Sequence, residues 1–364
     1  PGKVDTVVNP YVNVRDMDVC EKQRRDAALY GVDDASAGEQ DEPFKPHPQR
    51  DRDRTVIRLP SFEKVRNDPV LYAHASRVLH METNPGNARA LVQKHGNLDL
   101  WVNAPPIPLT TPEMDYVFGM PFTRQPHPSY ADARIPAYEM IRYSVTAHRG
   151  CVSGCSFCSL GLHQGKRIVS RSPESVLREV KTITSAPDFK GHITDIGGPS
   201  ANMYGFDCQR DLNCARESCL FPSLCPNLQI NTRKCLKLLK HVSNVSGVSK
   251  VTVGSGIRYD LLMQDPEAKR LLEELIAKHI SGQLKIAPEH TDPGVLRAMR
   301  KTPLADLKQF VTLFRQLTAK RGKEQYPLPY FMSCHPGSSV HDMHTLKNTI
   351  FPLFGFVPHQ VQAF

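Results

Sequence analysis

The 364-residue chain has no apolar run of eighteen or more residues, so no membrane-spanning helix is expected. Nor does it open on a basic stretch followed by an apolar one, as a secretory signal would. A soluble, cytoplasmic protein is the expectation. Tryptophan occurs once and aromatic residues make up 7%, which leaves no evident platform for stacking nucleic-acid bases. The net charge of +9 admits an acidic partner, nucleic acid included. However, Arg50, Arg52, Arg54 and Arg58 are interleaved with Asp51 and Asp53, a pattern of solvated surface more than of a basic groove. Cysteine is not scarce. Seven of the ten cysteines fall between Cys151 and Cys225, and without a secretory signal that clustering points to metal more than to disulfides.

The densest group is Cys151, Cys155 and Cys158, within His148-Arg149-Gly150-Cys151-Val152-Ser153-Gly154-Cys155-Ser156-Phe157-Cys158. Four-iron clusters are normally held by four thiolates. Three in C-x3-C-x2-C spacing can wrap one corner of a cube and leave an iron open, and an open metal position is where chemistry occurs. Gly150 and Gly154 allow turns that a Cβ resists. Zinc is the alternative, with His148 or His163 as a fourth ligand, although paired clusters are the usual zinc pattern. The run 141–147 before the loop is strand-like, and Ser172-Pro173-Glu174 after it opens a helix carrying Val176, Leu177, Val180 and Ile183.

Along the chain, residues 1–54 read as the tail of an upstream domain followed by a polar, disordered insert, and 55–138 as a helical and proline-rich connecting region. Pro60-Ser61-Phe62-Glu63 looks like a helix start, with apolar residues following to Leu79. From 139 to 364 strands and helices alternate. Strand-like runs are 142–147, 192–196, 250–253, 284–287, 329–333 and 360–364. Asp265-Pro266 and Thr302-Pro303 open helices between them. Six βα repeats predict a parallel sheet with helices outside, curling toward a partial or full barrel. A cysteine-rich insert at 203–228 interrupts them. Both ends look cut, so the chain reads as a fragment of a longer protein.

The trio with Phe157 between its last two cysteines, C-x3-C-x-aromatic-C, resembles the signature of the radical S-adenosylmethionine enzymes. That resemblance implies a 4Fe–4S cluster on Cys151, Cys155 and Cys158, with S-adenosylmethionine chelating the open iron. One-electron cleavage would give methionine and a 5′-deoxyadenosyl radical that abstracts hydrogen from a substrate. It also implies a (β/α)6 partial TIM-type barrel, with cofactor groups at the C-terminal ends of the strands. Phe157 holds the signature's aromatic position. Gly197-Gly198-Pro199 resembles the family's Gly-Gly-Glu, which holds the methionine amino group, but Pro199 replaces the acid and leaves only backbone carbonyls. Ser255 and Arg258, Glu289, and His335 sit at later strand ends and are candidate cofactor or substrate contacts. Glu289 and His290 are candidate acid–base groups, and Arg258 with Asp260 reads equally as a structural pair.

Gly-Gly-Pro-Ser-Ala-Asn-Met-Tyr, Ser-Gly-Ile-Arg-Tyr-Asp, Lys-Ile-Ala-Pro-Glu-His-Thr, His-Pro-Gly and the upstream Asn84-Pro85-Gly86-Asn87-Ala88 resemble the narrower YgiQ-type radical S-adenosylmethionine proteins. Members of that family begin with a further Rossmann-like N-terminal region, of which residues 1–20 look like the tail. A low-potential electron donor, flavodoxin- or ferredoxin-like, is the implied partner, and the substrate is unknown. The remaining group, Cys208, Cys214, Cys219 and Cys225, is a candidate second metal site for an iron–sulfur cluster or zinc. Cys20, Cys235 and Cys334 read as structural. Two other functions stay open: an RNA-modifying, methylthiotransferase-like radical enzyme, or a non-catalytic iron–sulfur or zinc protein.

Overall fold

The computed structural model describes residues 13–16 and 55–364 except 132, 211, 213 and 215; for 13–16 it describes backbone alone. Cys20 and the proposed insert before residue 55 lie outside the described residues. The chain divides into two compact units. One comprises residues up to Pro108 with 210–217, the other 109–209 with 218–364. No helix among the described residues is long and apolar enough to cross a membrane.

The smaller unit holds a four-stranded sheet in the order β1 (Asn13–Asp16), β2 (Thr55–Leu59), β3 (Ala90–His95), β4 (Leu98–Val102). The first three are parallel, and β4 returns antiparallel through Gly96, at φ +56°. Ile57, Leu59 and Leu91 bury one face against Val78. Val56, Ala90 and Val92 bury the other with Trp101. The helix expected from Ser61 to Leu79 is two helices, α1 (Phe62–Asn67) and α2 (Pro69–Met81). Asp68 parts them, because its carboxylate caps the Val70 and Leu71 amides (2.8 and 3.2 Å) and Pro69 follows at the first helical position.

The larger unit begins less extended than the prolines suggest. Thr110 and Glu113 form a capping box for a helix over Thr111–Phe118, and Pro136 opens another over Pro136–Ile141. The strand expected from residue 142 therefore starts later, as β5 (Ser144–Thr146). A short antiparallel pair follows, β6 (His148–Arg149) with β7 (Val169–Ser170). Then come helix α3 (Pro173–Thr184), the interrupted strand β8 (His192–Ile193) and β9 (Asp195–Gly197), and the antiparallel β10 (Asp207–Cys208) and β11 (Leu228–Gln229). Helix α4 (Thr232–Ser243) leads to β12 (Lys250–Val251), and α5 (Ala268–Glu274), prolonged by a π-helical turn over Leu275–His279, to β13 (Gln283–Glu289). Helix α6 (Leu304–Lys320) leads to β14 (Tyr326–Ser333), and α7 (Val340–Phe354) to β15 (Gln362–Ala363).

The pairing follows chain order. β5 lies parallel to β9, β8 to β12, β13 to β14 and β14 to β15. Single bonds continue the run after β12: Val253 N–H to His279 O, at the end of the π-helical turn, and Ile257 N–H to Lys285 O, on the edge of β13. The architecture is thus α/β with sequential parallel strands, and no pairing among the described residues closes β15 onto β5. Val145, Ile193, Ile196, Val251, Leu284, Ile286 and Phe331 on the strands meet Val176, Val180, Leu239, Val242, Leu271, Phe310 and Phe314 on the helices in one apolar core. The alternate residues of β13, Gln283 and Lys285, are exposed on the face away from the helices.

Candidate active site

The three leading cysteines lie between β6 and β7, so the loop is clamped at its root by a strand pair. Gly150 has φ +90°, and a Cβ there would stand 1.7 Å from the Arg167 carbonyl oxygen. Only glycine permits this approach. Cys151 N–H donates to Gly165 O (3.0 Å) on one side of the loop. On the other side Ser156 donates twice to the end of the short helix Pro293–Ala298 and its cap: N–H to Met299 O (3.2 Å) and Oγ to Ala298 O (2.8 Å). Phe157 packs on Val295, Met299 and Met332, and its ring lies edge-on to His335 at 6.2 Å. The signature aromatic therefore pins the loop against the short helix that follows β13 and against the end of β14.

Cys155 is buried and its Sγ lies 3.7 Å from Arg258 Nη1. Arg258 is itself held from three sides. Its Nε donates to Asp260 Oδ1 (2.8 Å) and its Nη2 to Oδ2. Its backbone N–H donates to Asn202 Oδ1 (2.8 Å), and Asn202 Nδ2 returns a bond to its carbonyl (2.9 Å). Burial opposes the charges of this pair, yet Asp260, Cys155 and Cys151 keep Arg258 well above its ordinary pKa. Asp260, despite burial, is held down at about 2 by Arg258, by their hydrogen bond and by Lys301. Arg258–Asp260 is thus a buried ion pair that also presents a guanidinium to the cysteine loop.

Cys158 is pushed up first by burial and then by the charges of Cys155, Cys151 and Glu289, against an opposing Leu160 N–H. Glu289 is buried at φ +68° and is raised by burial, while Lys301 and Arg258 pull it down. Lys301 donates to Ala287 O (2.6 Å), which stations its charge beneath β13. His290 is lowered mainly by burial; its Nδ1 accepts the Asp292 N–H (3.0 Å) and its Nε2 has no partner among the described residues. His335 Nδ1 lies 2.8 Å from Pro336 O.

The Gly-Gly-Pro turn follows β9 directly. Gly197 O accepts the Ala147 N–H (2.7 Å), and Gly198 packs so closely on His148 that a Cβ would meet its carbonyl at 2.6 Å and its ring at 2.8 Å. His148 is fully buried, both ring nitrogens lack partners among the described residues, and burial lowers its pKa to about 4. It is a packing residue behind the turn. Ser255 donates its N–H (3.0 Å) and Oγ (3.2 Å) to Asp195 Oδ1. Asp195 was not among the sequence candidates; its signal was the two-residue strand period that places it on the face of Gly197. Asn202 and Lys301 had no comparable signal, because their roles arise from contacts remote in sequence.

Among the described residues, no three His, Cys, Asp or Glu side chains are gathered as a single metal ion needs. A four-iron cube holds its ligating sulfurs much farther apart than one ion does. The trio's donor chemistry fits such a group: three thiols share one half-buried loop, Cys158 feels the charges of the other two, and a fixed guanidinium stands beside them. Of the second cysteine group, Cys208, Cys219 and Cys225 belong to the larger unit and Cys214 to the smaller. Cys219 and Cys225 pack with Val152, Met203, Phe206 and Leu220 in a small apolar cluster.

A family model described as "Radical SAM N-terminal" matches residues 4–144. A UPF0313 protein of Pseudomonas syringae pv. tomato is 48% identical over 368 residues, covering 100% of this chain and 47% of its own length. The UPF0313 protein YgiQ of Escherichia coli K12 is 45% identical over 350 residues, covering 94% of this chain and 45% of its own. The chain spans about half the length of the curated relatives it matches. Among solved structures, the radical S-adenosylmethionine methyltransferase TsrM from Kitasatospora setae, with cobalamin and a 4Fe–4S cluster bound, is 13% identical, with 82% of this chain and 55% of that one covered and a TM-score of 0.41. The cobalamin-dependent S-adenosylmethionine radical enzyme OxsB, with aqua-cobalamin bound, is 12% identical, covering 82% and 39%, with a TM-score of 0.43. Likeness at this level bears on neither activity nor ligand.

Proposed function

Because this chain belongs to the UPF0313 proteins of the YgiQ type, we propose that it forms part of a radical S-adenosylmethionine enzyme whose cluster is held by Cys151, Cys155 and Cys158. The observation that carries this reading is the gathering of three thiols beside the buried Arg258, with Glu289 close enough to act on Cys158. When bound, the cluster would supply the electron that cleaves S-adenosylmethionine to methionine and a 5′-deoxyadenosyl radical.

The chain's own residues have defined tasks in that reading. Gly150 and Ser156 fix the loop. Arg258 balances thiolate charge. Phe157 and His335 wall the site beneath β14. The carbonyls of Gly197, Gly198 and Pro199, with Ser255, border the amino-acid end of the cofactor. Glu289 and His290 are the groups able to hold or move a proton beside it. Sequential parallel strands support the partial (β/α)6 barrel that would carry this site over residues 139–364. A low-potential electron donor, a substrate still unnamed and a cytoplasmic setting complete the proposal.

Anaerobic reconstitution with iron and sulfide tests it. The wild-type protein is expected to release 5′-deoxyadenosine when reduced with S-adenosylmethionine present, and Cys151→Ala to lose both the product and most of the bound iron. Unchanged iron in Cys151→Ala, with no 5′-deoxyadenosine from the wild type, would falsify the reading.

A further inference from the structure

We propose that Asp195 supplies the carboxylate that the Gly197-Gly198-Pro199 turn lacks, and that it seats the amino group of the methionine part of the cofactor; this rests on the cofactor reading above. Asp195 and Gly197 lie on the same face of β9, while Ile196 between them is buried in the apolar core. Every hydrogen bond to the carboxylate falls on one oxygen. Oδ1 accepts the N–H of Gly254 (2.8 Å), the N–H of Ser255 (3.0 Å) and Ser255 Oγ (3.2 Å). Oδ2 accepts none among the described residues.

The free oxygen looks onto Gly197. A Cβ there would stand 2.9 Å from Asp195 Oδ2 and 2.2 Å from Ser255 Oγ, so only glycine lets the carboxylate and the hydroxyl come up against the strand. No lysine or arginine forms an ion pair with Asp195 among the described residues, and Lys285 acts on it only at longer range. Burial raises its pKa against the three clamping bonds, which is the condition of a carboxylate short of a cation. The neighbouring wall adds no competing charge, because the His148 ring behind Gly198 is held neutral. A primary ammonium brings both the charge and the donors that Oδ2 and Ser255 Oγ can accept.

Equilibrium dialysis of the reconstituted protein tests the seat without turnover. The ligands are S-adenosylmethionine, S-adenosylhomocysteine and 5′-methylthioadenosine, the last lacking the amino-acid end. Asp195→Asn keeps an acceptor for Gly254 and Ser255 and replaces the charged free oxygen by a neutral amide nitrogen. It is expected to weaken the first two ligands roughly tenfold or more and to leave the third and the bound iron unchanged. Asp195→Ala should do no worse on those two ligands. Were the carboxylate only a strand clamp, Asn would bind like wild type and Ala alone would fail, for all three ligands; that pattern overturns the proposal. Wild-type protein that binds none of the three would instead bring down the cofactor reading, and the seat with it.

Discussion

Arg258→Met would strand Asp260, which is 2% exposed, with the Thr302 Oγ1 (3.1 Å) and Leu261 N–H (2.9 Å) bonds and the charge of Lys301 left to hold it. The depression of Asp260 from an ordinary value of 3.8 to about 2 corresponds to about 2 kcal/mol of preference for the ionised form in the fold, at roughly 1.4 kcal/mol per unit. Removing one partner of a buried pair typically costs about 3–5 kcal/mol, because desolvation of the survivor is added. A loss of about 3 kcal/mol is therefore expected for Arg258→Met, and Arg258→Met/Asp260→Asn should recover at least half of it, since no charge is then buried alone. Urea unfolding followed by far-UV circular dichroism is the assay; Trp101 is the sole tryptophan and lies in the smaller unit, so its fluorescence reports the wrong region. Because the Asp260 pKa is depressed, its contribution is present above the ordinary carboxylate pKa and lost as pH falls through about 2. The gap between wild type and Arg258→Met should shrink accordingly below about pH 4. A cost below about 1 kcal/mol, or a double variant as unstable as the sum of its parts, would refute the coupling.

Gly150→Ala forces φ +90° on a residue with a Cβ and drives that Cβ to 1.7 Å from Arg167 O. It should cost more than the roughly 1–3 kcal/mol of backbone strain alone, and bound iron after reconstitution should fall by more than half; full iron loading would contradict the clamped loop. His148 has a folded pKa of about 4 against an ordinary 6.5, so stability is complete above 6.5 and drains by about 3 kcal/mol as pH falls toward 4. His148→Leu should flatten that slope in unfolding curves taken at successive pH values, and an unchanged slope would place the titration elsewhere.

The alternation of strands and helices after residue 144 was readable in the sequence, because each helix announces itself. Ser172 and Pro173 begin α3 as capping chemistry dictates, and Leu307, Phe310, Phe314 and Leu317 recur at helical spacing and are all buried. The sheet of the smaller unit was not read. Its signals were present in the alternation of Leu98, Leu100 and Val102 with Asp99 and Trp101, and in the Gly96-Asn97 turn, but β2 is only five residues long and stands among prolines and charges. Residues 141–143 misled in the opposite sense: branched and aromatic side chains suggest strand, while Pro136 had already committed the segment to a helix. At the site, the cysteine spacing identified the loop, and the motif's third position was read as a loss. Asp195, two residues before Gly197, carries the acid on the same strand face, where spacing along the motif does not look.

Strand order has a consequence for the timing of assembly. Each parallel strand pairs with the one synthesised just before or after it, so the sheet can be laid down progressively as the chain emerges. The cysteine loop cannot be finished that way. Ser156 is fastened to Ala298 across 142 residues, and Phe157 reaches its place only against Met332. These closures span far more sequence than the pairing of neighbouring strands does. The shape of the cysteine loop is therefore set by residues of the last two repeats as much as by its own sequence, and a change near Ala298 or Met332 reaches it directly.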